Sequence, residues 1–460
     1  MEIATMNIKE IRESLILKPN YHLNFGKLRI SKVIKSGVNC DSLGVLTKSI
    51  YTGGIFKRVF VENINNGIPY ISGQHLLDSN PLDTAKLISK KYTPRQNDMV
   101  LRENQILVSC AGAVGNIRLI TKDLDGVIGS QDIIRVIADE SKSPVGFIYA
   151  YLSSPTAYNY IQSFIYGSVV PRIDPTTLSK LPIPFFHENK QNDIHNLIIQ
   201  AAELRVNGNK ILGLLRKEFE KLIEQELSNS LVDYKKYSSV SIKNIRQFEQ
   251  RFDAPYNCDL GRKIYELIIA NEYLSLSAIS EVFLPILFGK KQLKGTPLNG
   301  NALFKSSSMM QLTPETDFWL SPKKNAMYSR LQVKAGWVLV SRTGTVGNVV
   351  RITERLNNIF IDDHMVRIIP KEDYSGLIYI YLSTLYGQEL IKFQKYGSVQ
   401  DVINSEYIGR IPIPKCLTEK LFLKRVQKSV EGAHKMIDRA NLLEEEAIRL
   451  IETEIEQWQQ

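Results

Sequence analysis

Two long amphipathic stretches stand out in the pattern of apolar and polar positions. From about His187 to Ser230, Ile194, Leu197, Ile198, Ala201, Leu204, Ile211, Leu215, Phe219, Leu222 and Ile223 recur at steps of three and four with charged residues between them, the spacing of one helical face. From about Thr418 to Trp458, Leu421, Phe422, Val426, Val430, Ala433, Ile437, Ala440, Leu443, Ala447, Leu450, Ile451 and Ile455 do the same. At about 1.5 Å per residue each helix reaches roughly 60 Å, more than one small domain needs, so its apolar seam requires a cover. The nearest cover is the other helix, and an antiparallel coiled-coil pair is expected. The competing reading packs each helix on its own globular segment. Asn207, Gly208, Asn209 and Gly213 in the first helix and Gly432 in the second are poor helix formers and predict a bend or a close helix-helix approach.

Each long helix follows a mixed segment, and the two segments match. Ile106 to Asn116 returns as Val338 to Asn348, an offset of 232. Ile148 to Ser153 returns as Ile378 to Ser383, Tyr166 to Val169 as Tyr396 to Val399, and Leu181 to Pro184 as Ile411 to Pro414, each at 230. The starts agree too, Ile8 to Arg12 with Ile242 to Arg246. Several matches in one order at nearly one offset mean a tandem duplication of a lobe-plus-helix unit. The expected segments are lobe one over 1–185, a helix over 186–230, lobe two over 231–416 and a helix over 417–460. Within a lobe, the short β-branched runs Ile106 to Ser109, Ile133 to Ile137 and Val338 to Ser341 predict strands. Ile148 to Phe164 and Ile378 to Phe393 predict helices. The Pro-Ile-Pro elements must be extended, because a residue before proline avoids the helical region.

Charge adds a partner class. The formal net charge is +10, but residues 186–230 hold 6 Lys/Arg against 7 Asp/Glu and 417–460 hold 7 against 9, leaving 45 against 32 in the lobes. A basic excess confined to the lobes favours a polyanion. Cys40, Cys110, Cys258 and Cys416 form no close-spaced metal motif and predict free thiols in a reducing compartment. The start shows no signal-peptide pattern and no apolar run reaches a membrane span, so a cytoplasmic protein without a membrane partner is expected.

Gly112 with Gly115, and Gly344 with Gly347, mark tight strand-turn-strand loops. A plain hairpin turn accounts for them; so does a loop presenting backbone amides, with Asn116 in lobe one and Arg342, Thr343, Thr345 and Asn348 in lobe two, to a phosphate or base edge. Tyr166 and Ser168, and Tyr396, Ser398 and Gln400, divide between the same two readings. Arginine and glutamine read guanine and adenine bidentately, which makes Gln131, Arg172, Arg342 and Gln400 candidate readers. Lys57, Arg58, Lys91 and Arg95 in lobe one and Lys290 and Lys291 in lobe two are candidates for phosphate contact. Seam residues Ile194, Leu204, Leu215, Leu222, Val430, Ile437 and Leu450 are candidates for docking other subunits.

The chain has no adenine-methyltransferase motif, no glycine-rich strand-turn-helix for S-adenosylmethionine and no phosphate loop of the G-x-x-x-x-G-K-[ST] type. The six histidines do not pair at ligand spacing. No catalytic, cofactor or metal residues are expected on this chain.

A Ser-x-x-Gly-x-Val-Gly loop, a Gly-Ser element, a Pro-Ile-Pro strand and a long helix, all occurring twice, resemble the specificity subunits of Type I restriction-modification systems. The residues are Ser109 to Gly115, Gly167 and Ser168, and Leu181 to Pro184; then Ser341 to Gly347, Gly397 and Ser398, and Ile411 to Pro414. The resemblance implies an α+β chain of two mixed α/β target recognition domains, each followed by a long helix, the helices pairing as an antiparallel coiled coil. It implies a non-catalytic reader of a bipartite duplex DNA site that docks methyltransferase subunits and, in some complexes, motor-nuclease subunits. S-adenosylmethionine, ATP and Mg would reside on those partners. The lobes differ where Cys110 and Ala111 face Arg342 and Thr343, where Val170 to Arg172 face Gln400 to Val402, and where Pro69 to Ile71 have only Ala302 to Phe304 as a vague counterpart. Alternatives are a self-sufficient nuclease or methyltransferase, and a scaffold that binds RNA or protein.

Overall fold

The computed structural model describes residues 8, 11–12, 17–93, 96–167, 169–227, 251, 256–257, 260–285, 295–321, 323, 328–397 and 400–459. The chain packs as two compact units, residues 1–206 with 439–460 and residues 207–438. Each unit takes one lobe and part of both long helices, so the four segments expected from sequence are not the compact bodies. The helices are shared because their apolar seams are covered by the lobes as well as by each other.

In the first unit the strands are β1 (Cys40–Ser42), β2 (Thr47–Thr52), β3 (Phe60–Val61), β4 (Gly67–Ile71), β5 (Lys86–Ser89), β6 (Ile106–Ser109), β7 (Ile117–Leu119), β8 (Ile128–Gly129), β9 (Ile133–Ala138) and β10 (Pro182–Pro184). They form a four-stranded sheet β2-β9-β6-β7, a second four-stranded sheet β3-β5-β4-β8 and the pair β1-β10. β6 is buried at every position, which makes it a central strand covered on both faces. Alternation then sorts its side chains. Ile106 and Val108, with Ile134 and Val136 of β9, join the core beneath α1 (Phe25–Lys35), α2 (Val145–Leu152) and α3 (Pro155–Ser163). Leu107 and Ile133 join Ile71, Leu76 and Leu101 in a second core on the other face.

The second unit repeats this order with β11 (Tyr273–Ser275), β12 (Ser280–Phe283), β13 (Asn301–Phe304), β14 (Trp319–Leu320), β15 (Val338–Ser341), β16 (Val349–Arg351), β17 (Phe360–Ile361), β18 (Met365–Pro370) and β19 (Pro412–Pro414). Its sheets run β12-β18-β15-β16, β14-β13-β17 and β11-β19. The vague counterpart is resolved by register. β4 pairs parallel with β8 through Ile71 and Gly129, and β13 pairs parallel with β17 through Phe304 and Ile361. Pro69 to Ile71 and Ala302 to Phe304 therefore occupy the same strand.

Both Pro-Ile-Pro elements are strands, paired antiparallel with β1 and β11. A buried tyrosine fixes each one: Tyr151 Oη donates to Pro182 O at 2.6 Å and Tyr381 Oη to Pro412 O at 2.5 Å. The helix expected over Ile148 to Phe164 is two helices. Ser154 caps the second by accepting from Ala157 N at 3.2 Å, and Pro155 stands at its first turn, where proline costs no hydrogen bond. Lobe two breaks at the same place without a proline, since Thr384 accepts from Gly387 N at 3.1 Å between Tyr374–Ser383 and Leu385–Phe393.

The long helices are α4 (Glu188–Glu226) and α5 (Lys420–Gln457). In the first unit Arg205 Nη2 lies 2.6 Å from Glu444 Oε2 and Lys190 pairs with Glu454. In the second Arg425 Nη2 lies 2.5 Å from Glu218 Oε1 and the Phe219 and Phe422 rings are 5.3 Å apart. In each unit the residue nearer the start of α4 meets the residue nearer the end of α5, so the segments run antiparallel. The seam residues offered above for docking are enclosed in these contacts. Ile194, Leu215, Val430 and Ile437 are buried, and Leu204, Leu222 and Leu450 are half-buried against the cores. The apolar seam thus reports surface that the chain covers itself. The exposed apolar side chains of these helices include Leu214, Leu421 and Leu442.

Of the helix glycines, Gly208 makes the close approach. A Cβ there would lie 2.9 Å from Ala433 O and 2.8 Å from Ile437 Cγ1, whereas at Gly432 nothing stands within 4 Å. Gly432→Ala is expected to stabilise the second unit by about 0.5 to 1 kcal/mol through helix propensity. Gly208→Val should cost roughly 1 to 3 kcal/mol by overpacking. Hydrogen exchange of the α4 and α5 amides around Gly208 and Gly432 checks this; a neutral Gly208→Val would refute the close contact.

Candidate nucleic-acid interface

β6 ends at Ser109, which closes the following loop upon itself. Ser109 Oγ donates to Ala113 O at 2.5 Å and accepts from Asn116 N at 2.9 Å, while Gly115 N donates to Ser109 O at 3.0 Å and Val114 N to Gly112 O at 3.0 Å. Gly112 and Gly115 have φ of +73° and +94°, the left-handed conformation glycine adopts without strain. Two further segments tie onto this loop. Cys110 N donates to Asp132 O at 3.1 Å, and Gly112 N donates to Pro171 O at 3.1 Å. Pro171 belongs to a hairpin closed by reciprocal bonds between Tyr166 and Arg172, both 2.9 Å.

Lobe two builds the same frame. Ser341 Oγ donates to Thr345 O at 2.5 Å and accepts from Asn348 N at 2.9 Å, and Gly347 N donates to Ser341 O at 3.0 Å. Arg342 N donates to His364 O at 2.9 Å, and Tyr396 and Val402 close the hairpin at 3.0 and 2.8 Å. The amides of Val114, Gly115 and Asn116, and of Gly347 and Asn348, are thus satisfied inside their lobes. The hairpin-turn reading accounts for those amides, and the loops offer side chains outward.

The frame gathers most of the sequence candidates. In lobe one it unites Gly112, Gly115, Asn116, Gln131, Tyr166 and Arg172. Gln131 Nε2 donates to Asp132 Oδ2 at 3.2 Å, and Arg58 joins through Asp132 at 3.8 Å and the Tyr70 ring at 5.7 Å. Tyr166 and Arg172 are exposed. In lobe two it unites Arg342, Thr343, Thr345, Asn348, Tyr396 and Gln400, of which Thr345, Tyr396 and Gln400 are exposed. Arg342 Nε is buried without a partner. Lys57 and Lys91 are exposed and take no part in these contacts, the ammonium of Lys91 standing 5.3 Å from the Tyr92 ring centre. Arg95, Ser168, Lys290, Lys291 and Ser398 lie outside the described residues.

Two buried arginines escaped the sequence reading. Arg135 of β9 and Arg367 of β18 are fully buried. Arg135 donates to Gly129 O at 2.9 Å, Ile133 O at 3.0 Å, and Ser130 O and Met99 O at 3.3 Å. Arg367 donates to Ile361 O at 2.7 Å and Met365 O at 2.5 Å. Burial lowers both guanidinium pKa values, that of Arg367 to about 10, so that one remains charged at neutral pH. Each thereby pins the corner bearing Asp132 or His364. Two corner residues outside the candidate readers belong with them. Asp132 is half-exposed, and the exposed His364 holds its Nδ1 2.9 Å from Thr343 Oγ1. Burial, assisted by Asp132, pushes the Cys110 thiol up to about 11, so it is neutral. Among the described residues, no group of three His, Cys, Asp or Glu side chains is placed to hold a metal ion, and no helix is long and apolar enough to cross a membrane.

Residues 47–200, which contain the whole lobe-one frame, match the family of the Type I restriction modification DNA specificity domain. Within those residues the chain carries a Type I restriction modification DNA specificity domain. The chain is similar to the Type I restriction-modification S subunit from M. genitalium, at 15% identity over 92% of this chain and 96% of that one, with a TM-score of 0.38. It is also similar to the HsdS subunit from Thermoanaerobacter tengcongensis, at 15% identity over the same shares with a TM-score of 0.28. A third similar chain comes from work on complex assembly and conformational transition of the Type I system, at 14% identity, 92% and 97% coverage and a TM-score of 0.29. No curated protein matches at a comparable significance. The family match covers most of lobe one and the start of α4; the order β12-β18-β15-β16 repeats β2-β9-β6-β7, and the same loop frame recurs in lobe two.

Proposed function

We propose that each lobe of this specificity subunit reads one half of a bipartite duplex site through its loop cluster. The two long helices, pairing as an antiparallel coiled coil, join the readers. Methyltransferase subunits holding S-adenosylmethionine, and motor-nuclease subunits using ATP and Mg, would supply the chemistry in a cytoplasmic complex. The exposed Leu214, Leu421 and Leu442 are what the helices offer such partners. The observation that carries the reading is one backbone frame built twice with different side chains on it, Cys110 against Arg342 and Arg172 against Val402. A frame that is kept while its side chains change suits two half-sites of different sequence, since base edges are told apart by donor and acceptor pattern.

Exchanging lobe one (1–185) for that of another specificity subunit is expected to change one half of the methylated sequence and leave the other intact. Methylome sequencing of cells expressing the hybrid with its methyltransferase reads the result. A site altered in both halves, or no site, would refute modular reading. The isolated chain, given S-adenosylmethionine or Mg, should leave duplex DNA unmethylated and uncut.

A further inference from the structure

The two frames are alike in backbone and opposed in chemistry at one corner. Asp132 and His364 each give a carbonyl to the residue that follows β6 or β15, at 3.1 and 2.9 Å. Each corner is pinned from below by a buried arginine. Both side chains reach solvent beside the candidate readers. The side-chain contacts that Asp132 makes with Gln131 and Arg58 fall on Oδ2, and Oδ1 is the oxygen placed to accept from a base.

We infer that this corner is the specificity-determining position of each lobe, and that Asp132 reads an exocyclic amino group, that of cytosine or adenine, in the first half-site. The inference rests on the recognition reading above. An ionised carboxylate only accepts hydrogen bonds. In the major groove cytosine N4 and adenine N6 are the amino donors, while guanine and thymine present N7, O6 or O4 lone pairs that repel it. His364 puts an imidazole at the equivalent place, held by Thr343 at Nδ1 and left with Nε2, which donates or accepts according to the tautomer, whereas the Asp132 carboxylate only accepts. The frame permits this difference because it is bonded through backbone atoms.

Selection of bound duplexes from a pool randomised in both half-sites, with the full chain and its Asp132→Ala and His364→Ala variants, tests the assignment. The wild-type chain should select cytosine or adenine at one position of the first half-site. Asp132→Ala should reduce that preference roughly 5- to 150-fold and leave the second half-site unchanged, which also shows that the variant is folded. His364→Ala should do the reverse. An unchanged preference in Asp132→Ala, or an equal loss on all sequences, overturns the inference while recognition stands. A wild-type chain that selects no sequence overturns recognition itself.

Discussion

Arg135→Met is expected to destabilise the first unit by about 3 to 5 kcal/mol. Four carbonyls converge on the Arg135 guanidinium, and a buried acceptor left unpaired costs roughly 1 to 3 kcal/mol. The opposing effect is the desolvation of a buried charge, which favours an apolar replacement when both partners of an ion pair are replaced together. Here the partners are backbone and cannot be replaced, so the unpaired carbonyls decide the sign, with partial rescue by water keeping the total below the sum. Arg135→Lys should fall between the two, because an ammonium lacks the planar fork that serves four acceptors. With two compact units in the chain, one overall midpoint mixes two transitions. Hydrogen exchange of β6 and β9 is the proper readout. Protection in Arg135→Met within about 0.5 kcal/mol of wild type would show that the guanidinium does not hold the corner.

That arginine also marks the limit of what the chain discloses by pattern. A charged residue inside Ile133 to Ala138 reads as a solvent-facing position under simple alternation. In fact β9 is covered on both faces, and Arg135 shares a face with Ile133, towards Met99 and Gly129. Alternation fails wherever a second sheet closes over the first, and the small sheet is built from segments too short and too divergent to be recognised before the structure. The duplication, by contrast, was legible because its signals are local: Pro-Ile-Pro dictates an extended backbone, and glycines three and six residues after a serine dictate a closed turn. The gathering of the candidate loop residues in one frame has the same origin, since loop residues follow the turn that carries them. The seam residues offered for docking pack within the chain, because helical periodicity shows a face to be buried without saying by what. The long helix begins at Glu188, next to the expected boundary at 186, and its Ile194 and Ile198 pack into the lobe-one core. The entry to lobe two, with Ile242 to Arg246, lies outside the described residues.

Glu444→Ala should cost a similar amount, about 3 to 5 kcal/mol, by stranding a partner. Glu444 and Arg205 are both 9% exposed. Arg205 Nη2 lies 2.6 Å from Glu444 Oε2 and 3.1 Å from Asn441 Oδ1, and Tyr149 Oη donates to Glu444 Oε1. Burial, then the adjacent carboxylate, raises the Tyr149 pKa, so the phenol keeps its proton and donates. Removing the carboxylate leaves a buried guanidinium with one neutral acceptor and a buried hydroxyl without its acceptor, and breaking such a pair on one side is the costly case. The double replacement Arg205→Met with Glu444→Leu removes both charges at similar volume and should recover most of the loss. Recovery separates the two meanings of the contact. If the pair itself supplied the stability, the double variant would be as weak as Glu444→Ala in hydrogen exchange; if the loss comes from the stranded guanidinium and hydroxyl, the double variant recovers the guanidinium's share, and Tyr149→Phe, added to it, removes the unpaired hydroxyl and recovers more.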